Sequence, residues 1–232
     1  FVGSVVVPHI LARVGHVRVF GAMSAIASAA VLIHVAFLDP FGWTAMRFAS
    51  GFSFAGMYIV CESWLNEKAT NETRGQLLSL YMITNLGGMT AGQLMISLGQ
   101  PDSSGLFLLA SMMVSIAVVP ILITAGTAPS FEAPDRISLR RLVQVSPLAV
   151  VGMVFVGIAV SMLFGMGSVY GRSIGLNNTQ VGYFMASITL GTLALQYPIG
   201  RLSDRFDRRI VIFGAALVAG ITISIAGFFG AD

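Results

Sequence analysis

Charge is what this sequence has least of. Lys, Arg, Asp and Glu together make up 10% of its 232 residues, where a soluble domain carries about 25%. That deficit alone excludes an ordinary water-soluble fold. Cysteine is scarcer still: the single Cys61 rules out an intrachain disulfide, and in an apolar run it is expected to pack as a small buried side chain. Period-two alternation of apolar and polar residues is missing, which removes the membrane β-barrel. No nucleophile stands with a base, and His9, His16 and His34 lack metal-ligand spacing. Gly165-Met166-Gly167 lies inside an apolar run with no strand before it, so it is not a dinucleotide loop. No enzyme, cofactor or metal site is expected.

Apolar length, by contrast, is abundant. Hydrophobic residues make up 56% of the chain. They gather into runs near 19–38, 43–64, 76–98, 106–126, 147–170, 181–200 and 210–230, each close to the roughly 20 residues that cross a bilayer as a helix. A shorter run ends near Ala12. Lipid offers a spanning backbone no hydrogen bonds, so the expected fold is all-α, a polytopic membrane helical bundle. The 26 glycines suit close approach of such helices. Asp39-Pro40-Phe41-Gly42, Gln100-Pro101-Asp102-Ser103-Ser104-Gly105 and Gly175-Leu176-Asn177-Asn178 supply helix-stopping chemistry between the runs. The chain opens on Phe1 without a signal-peptide pattern, and is expected to be an internal fragment of a longer, transporter-sized protein.

The basic residues sort by loop. Arg13 and Arg18, then Lys68 and Arg74, then Arg136, Arg140 and Arg141, then Arg201, Arg205, Arg208 and Arg209 fall on alternate connections. Arg172 alone falls on the others, and Arg47 lies inside a run. By the positive-inside rule, the loops at 13–18, 65–75, 127–146 and 201–209 are cytoplasmic, in an inner (plasma) membrane. The segregation gives the net charge of +3 no bearing on nucleic acid. Residues 127–146, with Pro129 and Pro134, are the longest polar connection. They are expected to link an N-terminal bundle, 1–126, to a C-terminal bundle, 147–232. Ser138 to Val143 is expected to form a short amphipathic turn on the membrane surface.

The densest charge lies in GRLSDRFDRR, residues 200–209. Gly200, Asp204, Arg205, Arg208 and Arg209 form G-x-x-x-D-R-x-x-R-R between two spans. This pattern resembles the signature loop of the major facilitator superfamily, roughly G-x-x-x-D-R-x-G-R-R, with Asp207 standing where that family has glycine. Shifting the chain by 192 residues lays a degraded first copy over it. Arg13 and Gly15 survive, Ala12 replaces the acid, Pro8 replaces the first glycine, and Arg18 falls one place past the arginine pair. The resemblance implies a two-bundle fold, truncated so that it runs from the end of helix 2 through helix 9. Within the superfamily the run Glu62-Ser63-Trp64-Leu65 with Arg74-Gly75 is similar to the YcaD-like branch of bacterial permeases. Physically, Gly200 opens room for a crossing helix, Asp204 suits exposed amides at a helix N-terminus, and the arginines suit C-terminal carbonyls and anionic lipid heads. The turn is expected to latch one conformation of the bundle; a plain positive-inside loop is the alternative.

Polar side chains inside spans are costly and therefore functional candidates. Arg47 to Gly51 resembles the superfamily's helix-4 pattern R-x-x-x-G, which is linked to proton coupling or substrate contact. At 100° per residue Arg47, Gly51, Tyr58 and Glu62 share one stripe. Snorkelling of Arg47 to the interface is its alternative. For Glu62 the alternative is an ion pair with Lys68 or Arg74. Asn85 and Gln93, 80° apart, are expected to line the same cavity or to bond between helices. Gly88 and Gly92 form G-x-x-x-G, for which close helix packing is the default. Together these features point to secondary active transport of a small solute by alternating access, driven by the proton gradient, in a lipid-embedded monomer. A uniporter, a drug exporter, or a receptor or scaffold that binds without turnover are the rivals.

Overall fold

The computed structural model describes residues 2–70, 72–99, 104–123 and 139–229, and among these it is helical with no strand. Helix α1 (Val2–Val14) is followed by α2 (His16–Ala36), α3 (Pro40–Lys68) and α4 (Arg74–Met95), the last extended by a short 3-10 turn, Ile96–Leu98. Then come α5 (Gly105–Ile123), α6 (Leu139–Val145), α7 (Pro147–Ser173), α8 (Asn178–Arg205) and α9 (Arg208–Phe229). Each of the seven apolar runs is a helix. Three of them, α2, α5 and α7, are long and apolar enough by themselves to cross a membrane. The others, α3, α4, α8 and α9, have 29, 22, 28 and 22 residues. At 1.5 Å per residue they also reach across the roughly 30 Å of a hydrocarbon core.

Local chemistry sets the ends. Asp39 accepts the amide of Gly42 at 2.8 Å and Pro40 occupies the first turn, so α3 begins three residues before its apolar run. Asn177 and Gln180 close a reciprocal capping box, which starts α8 early. Pro147 likewise opens α7. Successive helices run up and down, so Arg13, Lys68, Arg74, Arg201 and Arg209 share one end, the basic end. Arg172 lies at the other, the distal end.

Packing begins at α2, which lies between α3 and α5, with α1 laid on α3. Val7 and Leu11 of α1, Val19 and Met23 of α2 and Val60 of α3 are buried together. Gly56 lets α2 approach, since a Cβ there would stand 2.8 Å from Met23 Cγ. Ser28 on α2 meets Ser111 Oγ at 2.7 Å and Ser115 Oγ at 2.9 Å on α5. In lipid such hydroxyls find no water to bond, so the trio favours the paired helices.

A second group forms around α8, which packs on α4, on the 3-10 turn and on α7. Gly167 and Gly171 of α7 lie against Met185 and Val181 of α8. Helix α4 therefore makes its main contact not with its sequence neighbour α3 but with α8, across the expected boundary between bundles. Residues 127–138 of the expected linker lie outside the described residues. The segment that follows is helix α6, where a surface turn over 138–143 was expected.

Candidate functional site

Among the described residues, three cavities between helices take in residues singled out from sequence. The first opens where α4 meets α8. At mid-depth Thr90 Oγ1 donates to Thr189 Oγ1 at 2.9 Å, and both side chains are buried. Toward the distal end Gly182 is seated so closely that a Cβ would lie 3.0 Å from the carbonyl oxygen of Gln93. Toward the basic end the two helices part. Ser79 and Ile83 of α4 and Leu193, Gln196, Tyr197, Gly200 and Arg201 of α8 line a cavity of about 450 Å³. Exposure follows the same gradient: Val181, Met185 and Thr189 are buried, whereas Tyr197 is 65% exposed. The Arg201 guanidinium sits 4.8 Å from the centre of the Tyr197 ring, a cation–π contact at the mouth.

The second cavity, about 240 Å³, lies between α3 and α4 and is lined by Phe20, Phe54, Met57, Tyr58, Cys61, Tyr81 and Asn85. Two of the residues singled out from sequence, Tyr58 and Asn85, meet here. Glu62 stands one turn nearer the basic end and accepts a long hydrogen bond, 3.4 Å, from Tyr81 Oη. The ion pair with Lys68 or Arg74, the alternative reading of Glu62, is not formed among the described residues. Lys68 is six residues on, 240° around the helix, and Arg74 only begins α4, two turns before Tyr81.

Arg47 lies in the third cavity, about 380 Å³, together with Val31, His34, Trp43, Ser50, Phe54, Leu106, Phe107 and Ala110. The stripe on α3 thus opens into two cavities, with Phe54 lining both. Arg47 faces α2 and α5 near the distal end, and Tyr58 faces α4. Asn85 and Gln93 share none of these three cavities. Asn85 turns to α3, whereas Gln93 belongs to the stretch of α4 whose backbone carries Gly182.

The glycines redistribute the expected close contacts. A Cβ on Gly88 or Gly92 would meet nothing within 4 Å, so that G-x-x-x-G is not a packing face among the described residues. Gly200 is equally open, because the wedge beside α4 lies where a crossing helix was expected. In the charged turn, Asp207 accepts the amide of Arg209 at 2.8 Å and so caps α9. The side chains of Asp204 and Arg208 lie outside the described residues, and Arg205 and Arg209 are exposed. In the first copy Arg13 lines a shallow surface groove with Val5, Val6, His9 and Ile10, Arg18 is exposed, and Gly15 makes the turn at φ 87°.

Sequence reasoning set the histidines aside, yet two are buried. His16 is fully enclosed, its Nε2 3.0 Å from Ser63 Oγ and its ring 5.6 Å from Trp64. The run Glu62-Ser63-Trp64 thereby acquires a physical role: Glu62 takes Tyr81, and Ser63 and Trp64 hold the start of α2. No local signal in the sequence marks this, because the partners are 47 residues apart.

The sequence model of the Major Facilitator Superfamily matches residues 1–232. The chain is 27% identical over 213 residues to the uncharacterized MFS-type transporter YcaD of Escherichia fergusonii. It is 28% identical over 213 residues to the protein of the same name in Escherichia coli O6:K15:H31. Each match covers 91% of this chain and 56% of the relative, so the chain spans little more than half the length of these curated relatives. No solved structure matches it with significance.

Proposed function

The chain belongs to the major facilitator superfamily, and we propose on that premise that it forms the central part of a transporter moving a small solute by alternating access, driven by the proton gradient. The observation that carries this reading is the asymmetric contact of α4 with α8. Tight packing at Thr90–Thr189 and Gly182 seals the distal half, and a wedge opens at the basic end. Two helices closed at one end and parted at the other supply a two-state element whose equilibrium a solute can bias. The excess of Lys and Arg supports a cytoplasmic basic end, and on that reading the wedge belongs to an inward-facing state. In the same reading the turn 200–209 is a latch that engages when the wedge closes, with Asp204 accepting helix-end amides.

The test is solute flux into proteoliposomes holding the full-length protein, with and without an imposed pH gradient. Flux that follows the gradient is expected, and Asp204→Asn should lower it at equal protein content. Saturable solute binding without any flux would instead identify a receptor. The orientation is checked separately in a Cys61→Ser background. Arg140→Cys should react with an impermeant thiol reagent only from the cytoplasmic side, and Leu176→Cys only from outside. Labelling of both from one side would overturn the helix count.

A further inference from the structure

The cavity around Arg47 contains two buried polar atoms with no hydrogen-bond partner among the described residues. His34 is 5% exposed and lies within the last turn of α2. Its Nδ1 lies 2.7 Å from the carbonyl oxygen of Ala30, a contact only an N–H can make, so the proton of the neutral ring sits on Nδ1. Nε2 is thereby left as an acceptor, and it is buried without a hydrogen bond. Ser50 Oγ, on α3 and lining the same cavity, is also buried and unbonded. Serine inside a helix ordinarily turns its hydroxyl back to a carbonyl one turn earlier, as Thr44 and Thr84 do here. Leaving either atom unsatisfied costs stability. The guanidinium of Arg47 is the third polar group. Among the described residues it has neither an ion-pair nor a hydrogen-bond partner.

The remaining wall is apolar and largely aromatic. The Trp43 ring stands edge-on to His34 at 5.2 Å, Phe107 stacks on His34 at 6.1 Å, and Trp43 and Phe107 lie 6.3 Å apart. A volume of about 380 Å³ is at the small end of ligand sites. Three polar groups line the cavity with this wall: the exposed guanidinium of Arg47, the hydroxyl of Ser50 and the unbonded Nε2 of His34.

From this complementarity we infer that the cavity between α2, α3 and α5 binds an organic acid of compact apolar or aromatic body together with one proton. The carboxyl group bonds Arg47 and Ser50, and the proton bonds His34 Nε2. The proton arrives either as the O–H of the neutral acid or from solvent onto Nε2 beside the carboxylate. Both descriptions contain the same atoms and the same charge, and both satisfy every polar group in the cavity. The charged surroundings are few. At the distal end α3 brings only Arg47 and its N-cap Asp39, which is engaged in capping the helix; its Glu62, Glu67 and Lys68 lie toward the basic end. Helix α5 carries no ionisable side chain. His16 and Arg18 of α2 and His9 and Arg13 of α1 lie at the basic end. Such a site goes beyond transport as such, and equilibrium binding tests it whether or not the protein turns over.

The experiment is calorimetric titration of the full-length protein with benzoate, in buffers of different ionisation enthalpy, so that proton uptake is read alongside affinity. Uptake of about one proton per benzoate is expected, with affinity falling about tenfold per pH unit over the range in which that proton is taken up. His34→Phe keeps the stacked ring and removes the acceptor, so proton uptake should vanish. His34→Leu, which also lacks an acceptor, serves the same purpose if the phenylalanine variant does not insert. Ser50→Ala should weaken binding and leave proton uptake at one. Oleate added within the membrane distinguishes the source of the carboxyl group. Proton-linked binding of oleate but not benzoate assigns the site to an acid drawn from the bilayer; binding of benzoate assigns it to one drawn from water. Absence of binding by both acids, or binding with no proton uptake in the wild type, would overturn the inference.

Discussion

Replacing Gly182 with leucine should force α4 and α8 apart at their distal ends and all but abolish flux. The first atom of any side chain at this position would stand 3.0 Å from the carbonyl oxygen of Gln93 and 3.7 Å from the amide nitrogen of Ser97. Both neighbours are backbone, so no rotamer change relieves the clash and the helices themselves must separate. Overpacking of this kind costs about 1–3 kcal/mol, which shifts a two-state equilibrium by about 5- to 150-fold. The shift is away from the state closed at the distal end. Thr189, 1% exposed in the seam, reports it directly. In a Cys61→Ser background, Thr189→Cys should be protected from an external impermeant thiol reagent, and adding Gly182→Leu should expose it. Gly182→Ala should fall between the two in both flux and labelling. A protected Thr189→Cys and normal flux in the leucine variant, at matched membrane content, would mean that this seam does not move.

How much of this was legible beforehand differs by scale. The seven apolar runs foretold seven helices because lipid leaves a spanning backbone no other partner than itself. Their ends moved outward where polar residues extend a helix: Asp39 ahead of α3, the Asn177–Gln180 box ahead of α8, and Leu202 to Arg205 beyond the apolar stretch of α8. The angular argument on α3 located a polar stripe, but spacing along one helix does not say which helix faces it. Arg47 and Tyr58 therefore open into separate cavities. The same limit explains the glycines. A pair at i and i+4 marks a smooth face, yet close contact needs a partner at that face, and α4 meets α8 through Thr90 and the carbonyl of Gln93 instead of through Gly88 and Gly92. His34 was invisible as a site for a related reason. Its unbonded nitrogen lines the same cavity as Arg47, and that becomes apparent only when α2, α3 and α5 are assembled.

The two charged turns lend themselves to an exchange experiment whose outcomes should be unequal. Gly15 and Asp207 occupy equivalent positions under the 192-residue shift, but they solve the turn differently. Gly15 adopts φ 87° and ψ 161°, a region essentially closed to any residue with a Cβ and costing about 1–3 kcal/mol when forced. Asp207 needs no such backbone, since no residue other than glycine has positive φ among the described residues; it works by capping α9 through its side chain. Gly15→Asp should therefore lower the thermal unfolding midpoint of the protein by several degrees. Asp207→Gly, which loses a cap that glycine partly replaces, should cost only a few tenths of a kcal/mol. A Cβ on Gly15 would meet nothing within 4 Å, so the penalty is conformational and not steric against a neighbour. Gly15→Ala should accordingly be as damaging as Gly15→Asp, although it adds neither charge nor bulk. The next residue, His16, is anchored on Ser63, which prevents the turn from relaxing by shifting the start of α2. Removing that anchor with Ser63→Ala should make the turn more tolerant, so that Gly15→Ala costs less in the Ser63→Ala background than in the wild type. Additive losses in the double variant would show that the turn and the buried histidine are independent.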